Sequence, residues 1–228
     1  ALGLGYEDLR QINPQLIYCS MTAFGQGGPR RTHTAYDHAV QAASGIMAMN
    51  GEDGRPPVKC GAPVIDYSTG TMAAFAIASA LFQRTRTGRG QHIDCAMADV
   101  AMMLEASHIA GYMNNGKVPK PHGNKHSYAS SYFYETADGG IMLAASNRRQ
   151  NKRLFAALGR PELGDSDNEA RARNFQDEEA VLRPILRGTT AQEWENHLQA
   201  NHVPALKLRT LAEAVADPQV QTRAILHK

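Results

Sequence analysis

Apolar positions along this chain recur at helical spacing in some stretches and alternate or cluster in others, and the change from one to the next predicts its elements. Leu16-Ile17-Tyr18-Cys19-Ser20-Met21-Thr22 is a run of β-formers leading into Phe24-Gly25-Gln26-Gly27-Gly28-Pro29, so it reads as a strand followed by a glycine-rich loop. Tyr6 to Gln11 before it reads as a short helix, stopped at Asn13-Pro14 because the residue ahead of a proline is driven out of the helical region. Tyr36 to Met47 opens another helix, ending in the polar turn Asn50-Gly51-Glu52-Asp53-Gly54. A longer stripe, Met72, Phe75, Ala76, Ser79 and Ala80, follows Pro63-Val64-Ile65-Asp66 and predicts a helix packed on a core and stopped by Gly88. Gln91 to Met97 alternates polar and apolar residues like a strand with one wet face. Asp99 then starts a long helix whose Val100, Met103, Leu104, Ile109 and Met113 are expected to be buried.

The pattern changes after Asn114. Asn114 to Ser131 is rich in Gly, Pro, Lys, His and Asn and reads as a linker. Tyr132–Thr136 and Ile141–Ala145 flank Ala137-Asp138-Gly139-Gly140 as a β-hairpin that opens a second domain. Asn151 to Leu158 predicts a helix closed by Gly159, whereas Leu163 to Asp177 is polar and expected to be irregular. Thr190-Ala-Gln-Glu193 and Thr210-Leu-Ala-Glu213 carry the Thr-x-x-Glu form in which two side chains satisfy free backbone N–H groups, so each starts a helix. His202 to Leu206 between them reads as a short strand, and Asp217-Pro218 as the end of the second helix. Helix, strand and glycine loop in that order indicate an α/β architecture.

Composition narrows the function classes. The 228 residues are 43% hydrophobic and 20% charged, with 24 basic against 22 acidic side chains, so the net charge of +2 provides no dedicated nucleic-acid surface and small-molecule partners fit better. Cys19, Cys60 and Cys95 are widely spaced and form no CxxC pair, which suggests neither a disulfide framework nor a zinc site and makes the cytoplasm the expected compartment. His122 and His126 are four apart, but Pro121 and Gly123 argue against the helix that would align them on a metal, and no metal is expected. No apolar run approaches the ~20 residues of a membrane span, so no membrane association is expected. The chain starts without Met, in what reads as the middle of a helical segment, so a piece of something longer is expected.

The strongest chemical candidate is Asp66. An apolar run delivers this carboxylate to a helix start, where free N–H groups and the helix dipole favour its charged form. The same features suit an ordinary N-cap, whether Asp66 or Ser68. The glycine loop at 24–29 fits neither phosphate-loop pattern and reads as a tight turn.

Taken in order, Asn13-Pro14, Thr22-Ala23-Phe24-Gly25-Gln26-Gly27-Gly28-Pro29, Tyr36-Asp37, Val64-Ile65-Asp66, Thr87-Gly88-Arg89-Gly90-Gln91, Tyr134-Glu135-Thr136-Ala137-Asp138-Gly139 and Asp217-Pro218-Gln219-Val220 resemble the class III CoA-transferases across nearly the whole chain. The resemblance implies part of a Rossmann-like large domain plus a smaller α+β domain, in an interlocked homodimer. Residues 1–121 would be the later part of the large domain, 122–210 the small domain, and 211–228 a helix returning toward the first. It implies an acyl-CoA thioester and a carboxylic acid as substrates, no metal, Asp66 as nucleophile, and Tyr36 and Met97 beside the CoA moiety. Aspartate suits that role, because its carboxylate can attack a thioester carbonyl, form an anhydride, and be exchanged between sulfur and oxygen without an energy source.

Two alternatives remain at this level. Acyl-CoA racemases of the same superfamily have a proton-transferring histidine where this chain has Tyr36, which weighs against that reading, and the third possibility is a non-catalytic dimerisation fragment. Where several transferases carry a glycine-rich loop, this chain has Ser146-Asn147-Arg148-Arg149-Gln150. That stretch is either a solvated turn or a site where Arg148 or Arg149 pairs with the far carboxylate of a dicarboxylic acceptor.

Overall fold

The computed structural model describes residues 2–226; positions 1, 227 and 228, which the sequence reading assigned to the large-domain segment and to the returning helix, lie outside the described residues. The chain forms two compact units, one up to Gly123 and one from Asn124.

In the first unit the order is α1 (Tyr6–Ile12), β1 (Ile17–Thr22), α2 (Asp37–Ser44), α3 (Ile46–Met49), α4 (Val64–Thr87), β2 (Gln91–Ala96), α5 (Met97–Leu104) and α6 (Ala106–Asn115). β1 and β2 are a parallel pair, registered from Ile17 opposite Gln91 to Thr22 opposite Ala96. The approach to this pair is tight. The Gly90 N–H donates to the Pro14 carbonyl, and a side chain at Gly90 would collide with the Leu16 carbonyl. What the described residues show is a mixed α/β unit with a two-stranded sheet, which is less than the Rossmann-like domain expected from the sequence.

Three details of the helices differ from expectation. The helix expected from Tyr36 through Met47 is broken at Gly45, whose φ of 112° lies in the left-handed region that glycine tolerates best. The long helix expected from Asp99 starts at Met97 and is interrupted at Glu105, giving α5 and α6. Of its expected buried residues only Val100 is enclosed; Met113 is 78% exposed. On α4 the enclosed stripe is Ile65, Thr69, Ala73 and Ala80, and Phe75 stands on the open side at 68% exposure. Small residues face inward here because the helix lies close against both strands, α2 and α5. By length and composition α4, at 24 residues, is a helix that could cross a bilayer, where no apolar run of that length was expected. Its packing on the strands marks it as a helix of this unit.

The second unit runs β3 (Phe133–Glu135), β4 (Gly140–Leu143), α7 (Arg148–Ala157), α8 (Asn168–Arg173), α9 (Phe175–Leu186), α10 (Ala191–Ala200), β5 (Ala205–Lys207), α11 (Leu211–Ala216) and α12 (Pro218–Thr222). Its antiparallel sheet has the order β3-β4-β5. Tyr134, Ile141, Leu143, Leu154, Phe155, Leu182 and Leu198 form one core on it. Both Thr-x-x-Glu boxes close as expected, at Thr190 and at Thr210. The segment expected to be irregular is largely helical, because Asp167 caps α8 by accepting from the Ala170 N–H at 2.8 Å. The helix expected over 211–228 is two short ones among the described residues, since Asp217 caps a new start at Pro218.

Two charged side chains are enclosed among the described residues of this unit. Arg171 on α8 is fully buried, donating to the Ala145 and Ser146 carbonyls, Ser130 Oγ and Asn168 Oδ1 at 2.9–3.1 Å, with its guanidinium 3.9 Å from the Tyr128 ring centroid. Glu178 on α9 is buried, its Oε2 without a partner among the described residues. Burial pushes its carboxyl up to about 7, against the opposing pull of Arg171. A carboxyl raised in the folded state stabilises it fully below its unfolded value near 4.5, and that contribution is lost as pH rises through about 7. The loss is on the order of 2 kcal/mol once solvent screening is allowed for. We expect Glu178→Gln to flatten the fall in urea midpoint between pH 5 and pH 8, read by fluorescence of Trp194, the single tryptophan. Parallel slopes for variant and parent would rule this out.

Candidate functional site

The first turn of α4 carries Asp66 as its third residue, after Pro63 at the N-cap position. The Asp66 carboxylate is exposed and accepts no hydrogen bond or ion pair from the described residues, so it is neither the N-cap nor a partner of one. Ser68, the other capping candidate, lies inside the helix.

A small cluster holds this turn in place. Ala23, Val40, Ile65 and Ala101 are its enclosed members, with Ala35, Val64, Met97 and Ala98 packed at the margin. Because Ala35 precedes the start of α2, Ile65 lies in the first turn of α4 and Met97 begins α5, the cluster gathers three helix N-termini. Tyr36 is the N-cap of α2, 78% exposed, its ring stacked on His38 with centroids 6.4 Å apart. Three of the sequence-selected residues, Asp66, Tyr36 and Met97, therefore belong to elements meeting at one place.

Asp37, which sequence reasoning left without a role, links two of these helix starts. Its Oδ2 accepts from the N–H groups of Ile65 and Asp66 at 2.8 and 3.1 Å, and its Oδ1 accepts from the Gln41 side chain. Gln41 Oε1 in turn accepts from the Cys60 N–H at 2.8 Å. The available signal was an acid and an amide four apart, on one face of a helix.

Open clefts flank the turn. One, of about 480 Å³, is lined by Tyr67, Ser68, Thr71, Met72, Phe75 and Met103; another, of about 530 Å³, is bordered by Val64, Cys60, Glu105 and His108. Asp66 lines neither and stands between their borders in the sequence. The glycine loop is not an open phosphate cradle at its start, since the Gly25 and Gln26 N–H groups are taken by Thr22 Oγ1 and Asp94 Oδ2 at 2.9 and 2.8 Å.

Arg148 and Arg149 lie in the second unit and are the first two residues of α7, not members of a loop. The difference arises at Asn147, which accepts from the Gln150 N–H at 2.9 Å while its own N–H donates to Gln150 Oε1. Both arginine side chains are exposed, without an ion pair among the described residues.

Residues 1–228 match the model of CoA-transferase family III. A succinate–glutarate CoA-transferase of Agrobacterium fabrum is 38% identical over 229 residues, covering 98% of this chain and 57% of that protein. The human succinyl-CoA:glutarate CoA-transferase is 32% identical over 225 residues, 96% of this chain and 51% of that one. The crystal structure of a CAIB/BAIF family protein from Brucella suis matches with a TM-score of 0.84 at 38% identity, over 98% of this chain and 60% of that one. The chain thus spans little more than half the length of these curated relatives.

Proposed function

The chain belongs to the CoA-transferase family III, and on that premise we propose that the protein moves CoA from an acyl-CoA thioester to a carboxylic acid, with Asp66 as the nucleophile. The observation that carries this reading is an exposed carboxylate, free of partners among the described residues, at a helix start whose nearest N–H groups are already occupied.

In the proposed sequence an Asp66 oxygen attacks the thioester carbonyl, the C–S bond breaks, and CoA leaves as its thiolate with a mixed anhydride behind it. The thiolate attacks the aspartyl carbonyl, expelling the donor acid and leaving an aspartyl thioester. The acceptor carboxylate then attacks that thioester to form a second anhydride, and the returning thiolate takes the acceptor acyl group, restoring Asp66. Each step exchanges one acyl–oxygen or acyl–sulfur bond for another, so no net oxidant or phosphate donor enters. Tyr36 would border the thioester end and Met97 the CoA moiety, and the cleft of Tyr67, Met72, Phe75 and Met103 offers an apolar wall for the arm of CoA. Incubating the full-length protein with an acyl-CoA donor should give a CoA adduct that hydroxylamine removes; its absence would defeat the reading.

The relatives' names include succinate and glutarate, and two arginines without an ion pair among the described residues suit an acid with a second carboxylate, so we propose a dicarboxylic acceptor held by Arg148 or Arg149. Arg149→Ala should raise KM for a dicarboxylate about 10-fold and leave a monocarboxylate unchanged. Equal effects on both acids would remove the arginine from the acceptor site. Exposed Phe75, Phe82 and Met113 support a homodimer, and three cysteines without disulfides support a cytoplasmic setting.

A further inference from the structure

A helix start normally satisfies its first N–H groups with the side chain at the N-cap, or with an acid at the third position that reaches back to the N-cap N–H. Neither device is open to α4. Pro63, at the N-cap, has no acceptor in its side chain and no N–H for Asp66 to bind. The acceptor comes instead from another helix, because Asp37 Oδ2 takes the N–H groups of Ile65 and Asp66 at 2.8 and 3.1 Å.

Asp37 is itself held. It is 6% exposed, and Gln41, fully buried one turn later on α2, donates to its Oδ1 while accepting from the Cys60 N–H at 2.8 Å. The four contacts clamp the chain on both sides of Pro63, at Cys60 before it and at Ile65 and Asp66 after it. A buried carboxylate with both oxygens engaged, beside an amide whose nitrogen and oxygen each have a partner, has one favourable arrangement. The backbone of Asp66 is therefore fixed to that arrangement.

We infer that Asp37, oriented by Gln41, is the positioning residue of the nucleophile. It fixes the first turn of α4 and occupies the N–H groups that would otherwise draw in the Asp66 carboxylate, which leaves that carboxylate free for the thioester. The inference rests on the reading of Asp66 as the nucleophile and adds to it the group that aims it.

The donor and acceptor pattern supplies a test that separates positioning from general support. In Asp37→Asn the new amide can keep an oxygen on the α4 N–H groups only by turning its nitrogen toward Gln41, and Gln41 then has to accept and faces its own nitrogen to the Cys60 N–H. Adding Gln41→Glu removes that conflict, since carboxylate oxygens accept from both the amide and Cys60, and every hydrogen bond is restored with the charge moved to position 41. In the full-length protein Asp37→Asn should lower kcat about 100-fold, the cost of a misplacement near 1 Å, and slow adduct formation on Asp66 to match. KM for acyl-CoA should stay within about threefold, and the double variant should recover to within about tenfold of the parent. Full kcat in Asp37→Asn would overturn the inference, as would a double variant that regains its urea midpoint but not its kcat. If the parent forms its adduct on Asp66 and Asp37→Asn forms it equally fast, only the positioning role fails; if the parent forms none, the nucleophile reading fails with it.

Discussion

Asp66→Ala is expected to lower kcat by about 10⁴-fold or more, the scale on which removing a covalent nucleophile acts, and to abolish the hydroxylamine-labile CoA adduct. Its effect on stability should be small. The side chain is exposed, with no partner among the described residues, and an acid in a first helical turn contributes only about 0.3–1 kcal/mol through the dipole. Asp66→Asn should behave in the same way, because the amide keeps the shape but cannot attack a thioester. Asp66→Glu should retain a measurable adduct while losing turnover, since one extra methylene moves the oxygens away from the place the first turn assigns them. The pairing of a near-silent unfolding curve with a loss of four orders in rate is what separates a reacting group from a supporting one. Mass spectrometry of the alanine variant with the donor thioester decides the matter, and an adduct of undiminished yield would place the acyl acceptor elsewhere.

The helix that begins beside Asp66 was legible because its signal is local. An apolar run, an acid and a helical stripe ended by Gly88 are all written within twenty-odd consecutive residues, and the capping boxes at Thr190 and Thr210 are shorter still. Features carried by long-range contact were not legible. Asp37 acts on residues 28 and 29 positions away, and its partner Gln41 on one 19 away, so no window of sequence displays the clamp. The spacing places Phe75 in the core, yet past Ile65 the inward face of α4 carries the small residues Thr69, Ala73 and Ala80 against its neighbours, and the ring stands on the open side. The resemblance places Arg148 and Arg149 in a loop, because several transferases carry a glycine-rich one at the corresponding stretch. The helix there depends on the reciprocal bonds of Asn147 and Gln150, whose separation of three was the overlooked cue.

Arg171→Met is expected to destabilise the second unit by about 3–5 kcal/mol, a large part of the 5–15 kcal/mol typical of a whole domain. Methionine replaces much of the volume, so the cost is polar. Ala145 and Ser146 lose donors to their carbonyls, Ser130 and Asn168 lose one each, and Tyr128 loses the cation over its ring. Glu178 also loses the one charge that draws its carboxyl downward, so its proton should be held to still higher pH and the fall of stability with rising pH should move upward with it. The damage should extend to α7, since Arg171 anchors the carbonyl of Ser146, the residue before the Asn147 cap that starts the helix bearing Arg148 and Arg149. Urea unfolding of the full-length protein, followed through Trp194 on α10, reads the unit in which the change is made. Arg171→Lys should recover only part of the loss, because a single ammonium cannot serve four acceptors at the corners of a planar guanidinium. A Trp194 transition unmoved in Arg171→Met would show that the buried guanidinium is dispensable to this core, and a full recovery by lysine would show that its charge matters and its fork does not.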